Sequence, residues 1–193
     1  MRNSMGSPAC VSGVVSVGNS TDDDQVASTS NIAWFIDLLA PGTVVTSSIP
    51  ISRANDPTYA FLAKSGTSMS APHVTGAWAL LREAYPNETL GDTLARLKLT
   101  GTLIDDQRSN GVITDIPRIN VDLALATYVD LAAGWPTETG HPAWPFDSVQ
   151  EAVNAAPSAA MVRIAPGIYD ETVIIDRPME LRTTGGLVTI GTP

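Results

Sequence analysis

The sequence predicts an α/β unit over residues 1–126 joined to an all-β segment over residues 127–193. Three observations predict it. Ile32 to Leu39 is mostly apolar with little alternation, which suits a strand buried on both faces. Ala71, Val74, Ala77, Trp78 and Leu81 recur at helical spacing and form one apolar face. After residue 126 the chain breaks into short apolar runs separated by Gly- and Pro-bearing turns.

Taken in order, Val11, Val14, Val15 and Val17 form a β-branched run that Gly18-Asn19 ends. Thr21 to Asp24 is an acidic surface turn. Ile32 to Leu39 is the buried strand, and Pro41-Gly42 is a turn signal after it. Thr43 to Ser47 is a further strand. Pro72 is tolerated only in a first turn, so the next helix should begin at Ser68 to Ser70 and end before Pro86. Thr89 and Asp92 have capping-box spacing for a helix ending at Leu99, with Leu90, Leu94 and Leu97 on one face and Gly101 closing it. A shorter helix is expected within Pro117 to Ala126.

Tyr128 to Asp130 then reads as a strand. A short helix carries Phe146, Val149 and Val153 on one face, with Asp147 and Gln150 at capping spacing. Strands are expected at Met161 to Ala165, Thr172 to Ile175, Met179 to Leu181 and Leu187 to Ile190. Their inward residues would be Val162, Ile164, Val173, Ile175, Leu181, Val188 and Ile190. Turns fall at Pro166-Gly167, Asp176 to Pro178 and Gly185-Gly186. This pattern suits either a sandwich or a coiled solenoid.

The chain has 193 residues, 44% hydrophobic and 16% charged, enough for one or two domains and too apolar for general disorder. No apolar run reaches the roughly 20 residues of a membrane helix. A net charge of −9 repels polyphosphates and disfavours nucleic-acid partners. The first residues lack a basic segment followed by an apolar run, so no signal peptide is expected in them. One cysteine, Cys10, excludes an internal disulfide framework; it reads as a small buried residue. Asp22, Asp23 and Asp24 offer oxygen ligands but read as a solvated turn, and Asp105-Asp106 as surface. Asn3 also reads as surface. No metal ligand is assigned.

The chemistry concentrates in Gly66 to Val74. A Gly-Thr-Ser run opening an apolar helix puts the Ser68 hydroxyl beside unpaired backbone N–H groups and the positive end of the helix dipole. That hydroxyl serves either as an N-cap or as a nucleophile beside oxyanion donors. His73, five residues on, lies about 140° around the helix from Ser68 and reads as structural. His141 reads as a surface residue on a Gly/Pro-rich loop. No residue here qualifies as general base.

Gly66-Thr67-Ser68-Met69-Ser70-Ala71-Pro72-His73-Val74, continued by Thr75-Gly76-Ala77, resembles the catalytic-serine signature of the subtilisin-like serine proteases (subtilases). Ser70 and Thr75 stand where alanine is more usual. Ser7-Pro8-Ala9-Cys10 through Val17-Gly18, Ser30-Asn31, Asp37 to Gly42 and Pro117 to Leu125 match other family segments in order; Thr29 stands where an aromatic is common. The resemblance covers residues 1–126. It implies a subtilisin-like fold, a parallel sheet flanked by helices, present incompletely. It implies serine endopeptidase activity on a protein or peptide substrate, with Ser68 as the catalytic nucleophile. The Ser68 N–H would be one oxyanion donor, and Gly66 and Thr67 would shape the approach to the scissile bond. In this family Asp and His precede Ser in the chain. They would lie upstream, so the partner is the missing N-terminal half of the domain, and the chain alone is expected to be inactive. Cys10 then has a rival reading, a disulfide to that upstream part. No cofactor is expected, with calcium left open for a full-length member. Location would be extracellular or cell-surface.

Tyr128-Val129-Asp130, Pro145-Phe146-Asp147-Ser148-Val149-Gln150-Glu151-Ala152-Val153, Ile164 to Glu171 and Arg177 to Leu181 resemble the opening of a pectin-lyase-like right-handed parallel β-helix. Residues 127–193 would be its cap and first coils, cut short, with Asp170 and Glu171 structural. The alternative function is an adhesin-like or carbohydrate-binding or carbohydrate-active β-helix protein carrying a degenerate protease remnant.

Overall fold

A computed structural model of the chain describes residues 5–50, 60–108 and 113–191. Asn3 lies outside them. The chain divides into two compact units, Met1–Ala79 with Gly101–Asn120, and Leu80–Thr100 with Val121–Pro193.

In the first unit, strands β1 (Val17–Ser20), β2 (Leu38–Pro41), β5 (Thr102–Asp106) and β6 (Ile113–Arg118) form a sheet in the order β1-β2-β6-β5. β1 pairs parallel with β2, and β2 parallel with β6, while β5 and β6 are antiparallel. The sheet is therefore mixed where an all-parallel one was expected. The difference arises because β5 and β6 run antiparallel, and Pro117-Arg118, within the stretch expected to hold a helix, lies in β6. One face packs Val26, Ile32, Ile36, Leu39, Ile104 and Ile116 into a core.

Both early strands shift toward their C-terminal ends. Val11 and Val14 sit in turns, with Val11 N–H donating to Pro8 O and Val14 N–H to Val11 O, and both side chains are exposed. The ladder begins only at Val17, and Asn19, expected in a turn, is buried. Ile32 and Ala33 are buried but precede a turn closed by Ile36 N–H to Ala33 O, so β2 starts at Leu38. β3 (Val45–Ser48) and β4 (Phe61–Lys64) form a separate antiparallel ribbon. Helix α1 (Thr67–Ala84) belongs to the first unit through Ala79. It starts one residue early, so Pro72 falls in its second turn and leaves the Ser68 carbonyl without a helical N–H.

Two expectations about burial fail in this unit. Asp106 is buried and pairs with Arg108, whose guanidinium also donates to the carbonyls of Ala27 and Ser30. A charge can be buried there because every oxygen it meets is satisfied. Cys10 is exposed rather than buried.

In the second unit, α2 (Leu90–Leu99) carries the expected capping box of Thr89 and Asp92. Its buried face is Thr93, Arg96 and Leu97, whereas Leu90 is exposed. The helix is turned this way because Arg96, fully buried, pairs with Glu88 and donates to the carbonyls of Ala124 and Ala126. Its guanidinium also lies 3.9 Å over the Tyr85 ring. The expected third helix shrinks to α3 (Val121–Ala124).

Helix α4 (Val149–Ala155) is capped by Ser148, whose Oγ accepts from Glu151 N–H, one residue after the expected cap. Glu171 completes the cap by accepting from the N–H groups of Val149 and Gln150. Strands β7 (Thr127–Val129), β8 (Met161–Ile164) and β10 (Glu180–Thr183) form a parallel sheet in the order β10-β8-β7. β9 (Gly167–Tyr169) pairs parallel with β11 (Val188–Ile190). Thr172 to Ile175 is not a strand, because Ile174 N–H is taken by the Gln150 side chain instead of a ladder. Ile175 and Ile190, expected inward, are exposed, whereas Val162 and Ile164 are buried with Val129, Val149, Val153 and Tyr169.

His141 is also buried, not on the surface. Its Nδ1 accepts from Ala143 N–H at 3.0 Å, so its Nε2 is the donor toward Asp92 O at 3.0 Å. Burial holds its pKa below the usual 6.5, with the Arg96 charge acting the same way and Asp92 and Glu88 opposing.

Two predictions follow from this unit. Replacing Arg96 with Ala leaves two buried carbonyls and the Glu88 carboxylate unpaired, and should cost about 3–5 kcal/mol in urea unfolding monitored by circular dichroism. His141 takes a proton near pH 6.5 when unfolded but resists it when folded. Its contribution is therefore complete above pH 6.5 and declines as pH falls below that value. Urea midpoints measured against pH should show this decline, and the decline should flatten in His141→Gln.

Candidate active site

Ser68 lies in the first turn of α1 and is exposed. The N–H groups of that turn have no intrahelical acceptors, so the Ser68 N–H can meet a developing negative charge beside its own hydroxyl. Thr67 opens this turn and Gly66 precedes it. Gly66 has φ +146°, a conformation side chains rarely adopt. Its carbonyl accepts from Met69 N–H at 2.9 Å, and its N–H donates to Gly42 O at 2.7 Å. Just outside the turn, Ser65 Oγ accepts from Val44 N–H at 2.8 Å. The stretch after β2 thus holds the loop that leads into the helix.

Gly42 is the close approach in this arrangement. A Cβ there would lie 2.1 Å from Ser70 Oγ, 2.6 Å from Asn19 Oδ1 and 2.7 Å from Gly66 O. Behind Ser68, then, sits a buried polar patch. Asn19 Oδ1 accepts from Thr43 Oγ1 at 3.3 Å, while Asn19 Nδ2 and Ser70 Oγ have no hydrogen-bond partner among the described residues. The sequence assigns Asn19 no role at the site, and it marks Pro41-Gly42 as a turn and as the end of a family-like segment, not as a close approach. The Gly in that dipeptide was the available signal, since a glycine also permits close backbone approach.

Each histidine is engaged with its own surroundings. His73 Nδ1 lies 2.7 Å from Met69 O, one turn back on its own helix, and the His141 ring is engaged within the second unit. Among the described residues, no imidazole is hydrogen-bonded to Ser68. In the acidic turn, Asp24 pairs with Arg118 at 2.8 Å and Asp23 accepts from Thr21 Oγ1. The three carboxylates that do approach one another are Glu138, Asp147 and Glu151, within 4.8 Å. Among the described residues no helix is long and apolar enough to cross a membrane.

The Subtilase family model matches residues 2–116. The chain belongs to the subtilase family. Among its relatives is the extracellular serine proteinase of Thermus sp. (strain Rt41A), 45% identical over 83 residues, which are 43% of this chain and 19% of that protein. Subtilisin DY of Bacillus licheniformis is 35% identical over 105 residues, 54% of this chain and 36% of that one. The chain therefore spans about a fifth to about a third of these relatives. A crystal structure of a lanthipeptide protease superposes with a TM-score of 0.51 at 21% identity, covering 61% of this chain and 43% of that one. That likeness shows a subtilisin-like fold.

A subtilase with alanine in place of Ser70 would have no orphan hydroxyl at this position. Ser70→Ala should therefore stabilise the first unit by about 1 kcal/mol, read as a raised urea midpoint.

Proposed function

We propose that this chain supplies the nucleophile-bearing part of a secreted, subtilisin-like serine endopeptidase. The observation that carries the reading is the exposed Ser68 hydroxyl on the first turn of α1, held by Gly66 against Gly42. Ser68 Oγ attacks the carbonyl carbon of a peptide bond and passes its proton to an imidazole. The Ser68 N–H donates to the resulting oxyanion. Collapse expels the amine, which takes that proton, and water then hydrolyses the acyl-enzyme. Gly66 and Thr67 border the path of the scissile bond.

The imidazole and its carboxylate come from outside the described residues, in a further portion of the same catalytic domain. The open part of β1 supports this. The Ser16 and Ser20 carbonyls face β2, accepting from Leu38 and Gly42 N–H, so Val17 and Asn19 face the other way. Asn19 is closed there by Ser30 Oγ and Ala27 N–H. Val15 and Val17 instead border an apolar cleft of about 440 Å³ with Ala71, Val74 and Trp78. A further strand laid along Val15 to Val17 would fill it and bring the two missing groups toward Ser68. Secretion is inferred because relatives are named as extracellular proteases.

For residues 127–193 we infer the opening coils of a parallel β-helix. Met161↔Glu180 and Gly167↔Val188 are parallel registers of alternate strands, β8 with β10 and β9 with β11, as stacked coils require.

The test is to co-express the chain with the part of subtilisin DY that precedes the matching 105 residues, and to probe with a fluorophosphonate. Labelling should occur in the co-purified pair, should be absent from the chain alone, and should vanish in Ser68→Ala. A co-purified pair that stays unlabelled would remove Ser68 as nucleophile. Labelling of the isolated chain at Ser68 would refute an external base. Failure to co-purify would refute pairing along β1.

A further inference from the structure

The second unit contains a cavity of about 640 Å³, distant in sequence from Ser68, lined by the turn after α1, by Asp92 and by the loop of residues 137–144. That size is ordinary for a small-molecule site. Its walls are internally braced. On one side Arg82 donates to the carbonyls of Glu88 and Pro86, fixing the turn that carries Asn87. On the other, His141 and Trp144 form an antiparallel bridge, with Trp144 N–H donating to His141 O at 2.8 Å and Thr139 N–H to Trp144 O at 3.1 Å. The buried His141 ring ties this loop to α2 through Asp92 O. It also backs the indole, with ring centroids 5.0 Å apart. Trp144 remains 37% exposed.

The carboxylates at the cavity are already engaged. Glu88 is paired with Arg96. Asp92 accepts from the Thr89 N–H at 3.0 Å and Oγ at 2.7 Å, and the hydroxyl bond chiefly keeps its carboxyl below the usual range. An anion would meet two carboxylates and no open cation. A cation would have to compete with Arg96 for Glu88 and with the Thr89 cap for Asp92. What remains for a ligand is an indole face flanked by the neutral hydrogen-bonding groups of Asn87, Thr137 and Thr139. An apolar ring face bordered by hydroxyls matches that combination, because the C–H face of a pyranose packs on indole while its hydroxyls exchange bonds with amide and hydroxyl side chains.

We propose that this cavity binds a neutral saccharide of one or two rings, with Trp144 as the stacking platform and Asn87 as a polar contact. The site is independent of the proteolytic reading, since none of its residues belongs to the Ser68 turn.

The test uses the full chain with maltose, cellobiose and N,N′-diacetylchitobiose as probes, read by saturation-transfer difference NMR and tryptophan fluorescence up to about 10 mM. At least one disaccharide should bind. Trp144→Ala should weaken it by about tenfold or more, and Asn87→Ala by about threefold to tenfold. Trp135→Ala, at an exposed indole outside the cavity, should leave it unchanged. Asn87→Ala decides the matter if Trp144→Ala does not fold. No transfer from any of the three sugars would overturn the proposal. So would full affinity in folded Trp144→Ala, or in Asn87→Ala. Tighter binding of digalacturonate or of an arginine tripeptide would overturn it too, since the site would then select charge.

Discussion

The Ser68 turn depends on one close backbone approach, Gly66 N–H to Gly42 O at 2.7 Å. Two chain segments can come this near only because neither carries a side chain there. At Gly42 a methyl group would collide with three oxygens at once, two from side chains and one the carbonyl of Gly66 itself. At Gly66 the constraint is conformational, a φ of +146°. The end of β2 thereby fixes where α1 begins, and the start of α1 fixes which N–H groups are left to face an incoming charge. The sheet's contribution to the site is a position, delivered through one hydrogen bond.

The second unit is organised by a different kind of interaction. Arg96 is completely buried, yet its guanidinium meets a carboxylate, two carbonyls and an aromatic face. Such a group stabilises little relative to a well-packed apolar residue, but it tolerates no loss of a partner. It therefore specifies geometry. It ties the turn before α2 to the chain around α3, and so sets the wall on which Glu88 and Asn87 stand.

Elements whose stability is local were legible in the sequence. Thr89 and Asp92 cap α2 as their spacing demands, and the apolar repeat from Ala71 to Leu81 gave α1 to within a residue or so at either end. Elements that depend on distant partners were not. Nothing near Arg96 announces that its acceptors lie some thirty residues on, so the sequence puts Leu90, Leu94 and Leu97 on one face, of which only Leu97 joins the buried set with Arg96. Asp106 failed for the same reason, because its burial rests on Arg108 reaching the carbonyls of Ala27 and Ser30. Leu38 to Pro41 is a strand because it lies between β1 and β6, while Ile32 and Ala33, equally apolar and equally buried, are not paired that way. For the candidate site, the motif located Ser68 and its glycine, whereas Asn19 came into view only through the fold.

The same fold puts the two serines of the motif in opposite surroundings. Residues two apart on a helix point about 200° from one another. Ser68 is exposed and Ser70 has no exposure at all. Turning the helix to offer Ser70 to a substrate would drive Ser68 toward Gly42, whose surroundings have no room for even one more carbon. Position 70 is thus bound to the inside, where a hydroxyl gains nothing and alanine would serve better. Position 68 is bound to the outside, where an alanine could do no chemistry. The serine at 70 is the departure from the family pattern that the structure leaves uncompensated, and it marks the inner side of the turn as clearly as Ser68 marks the outer.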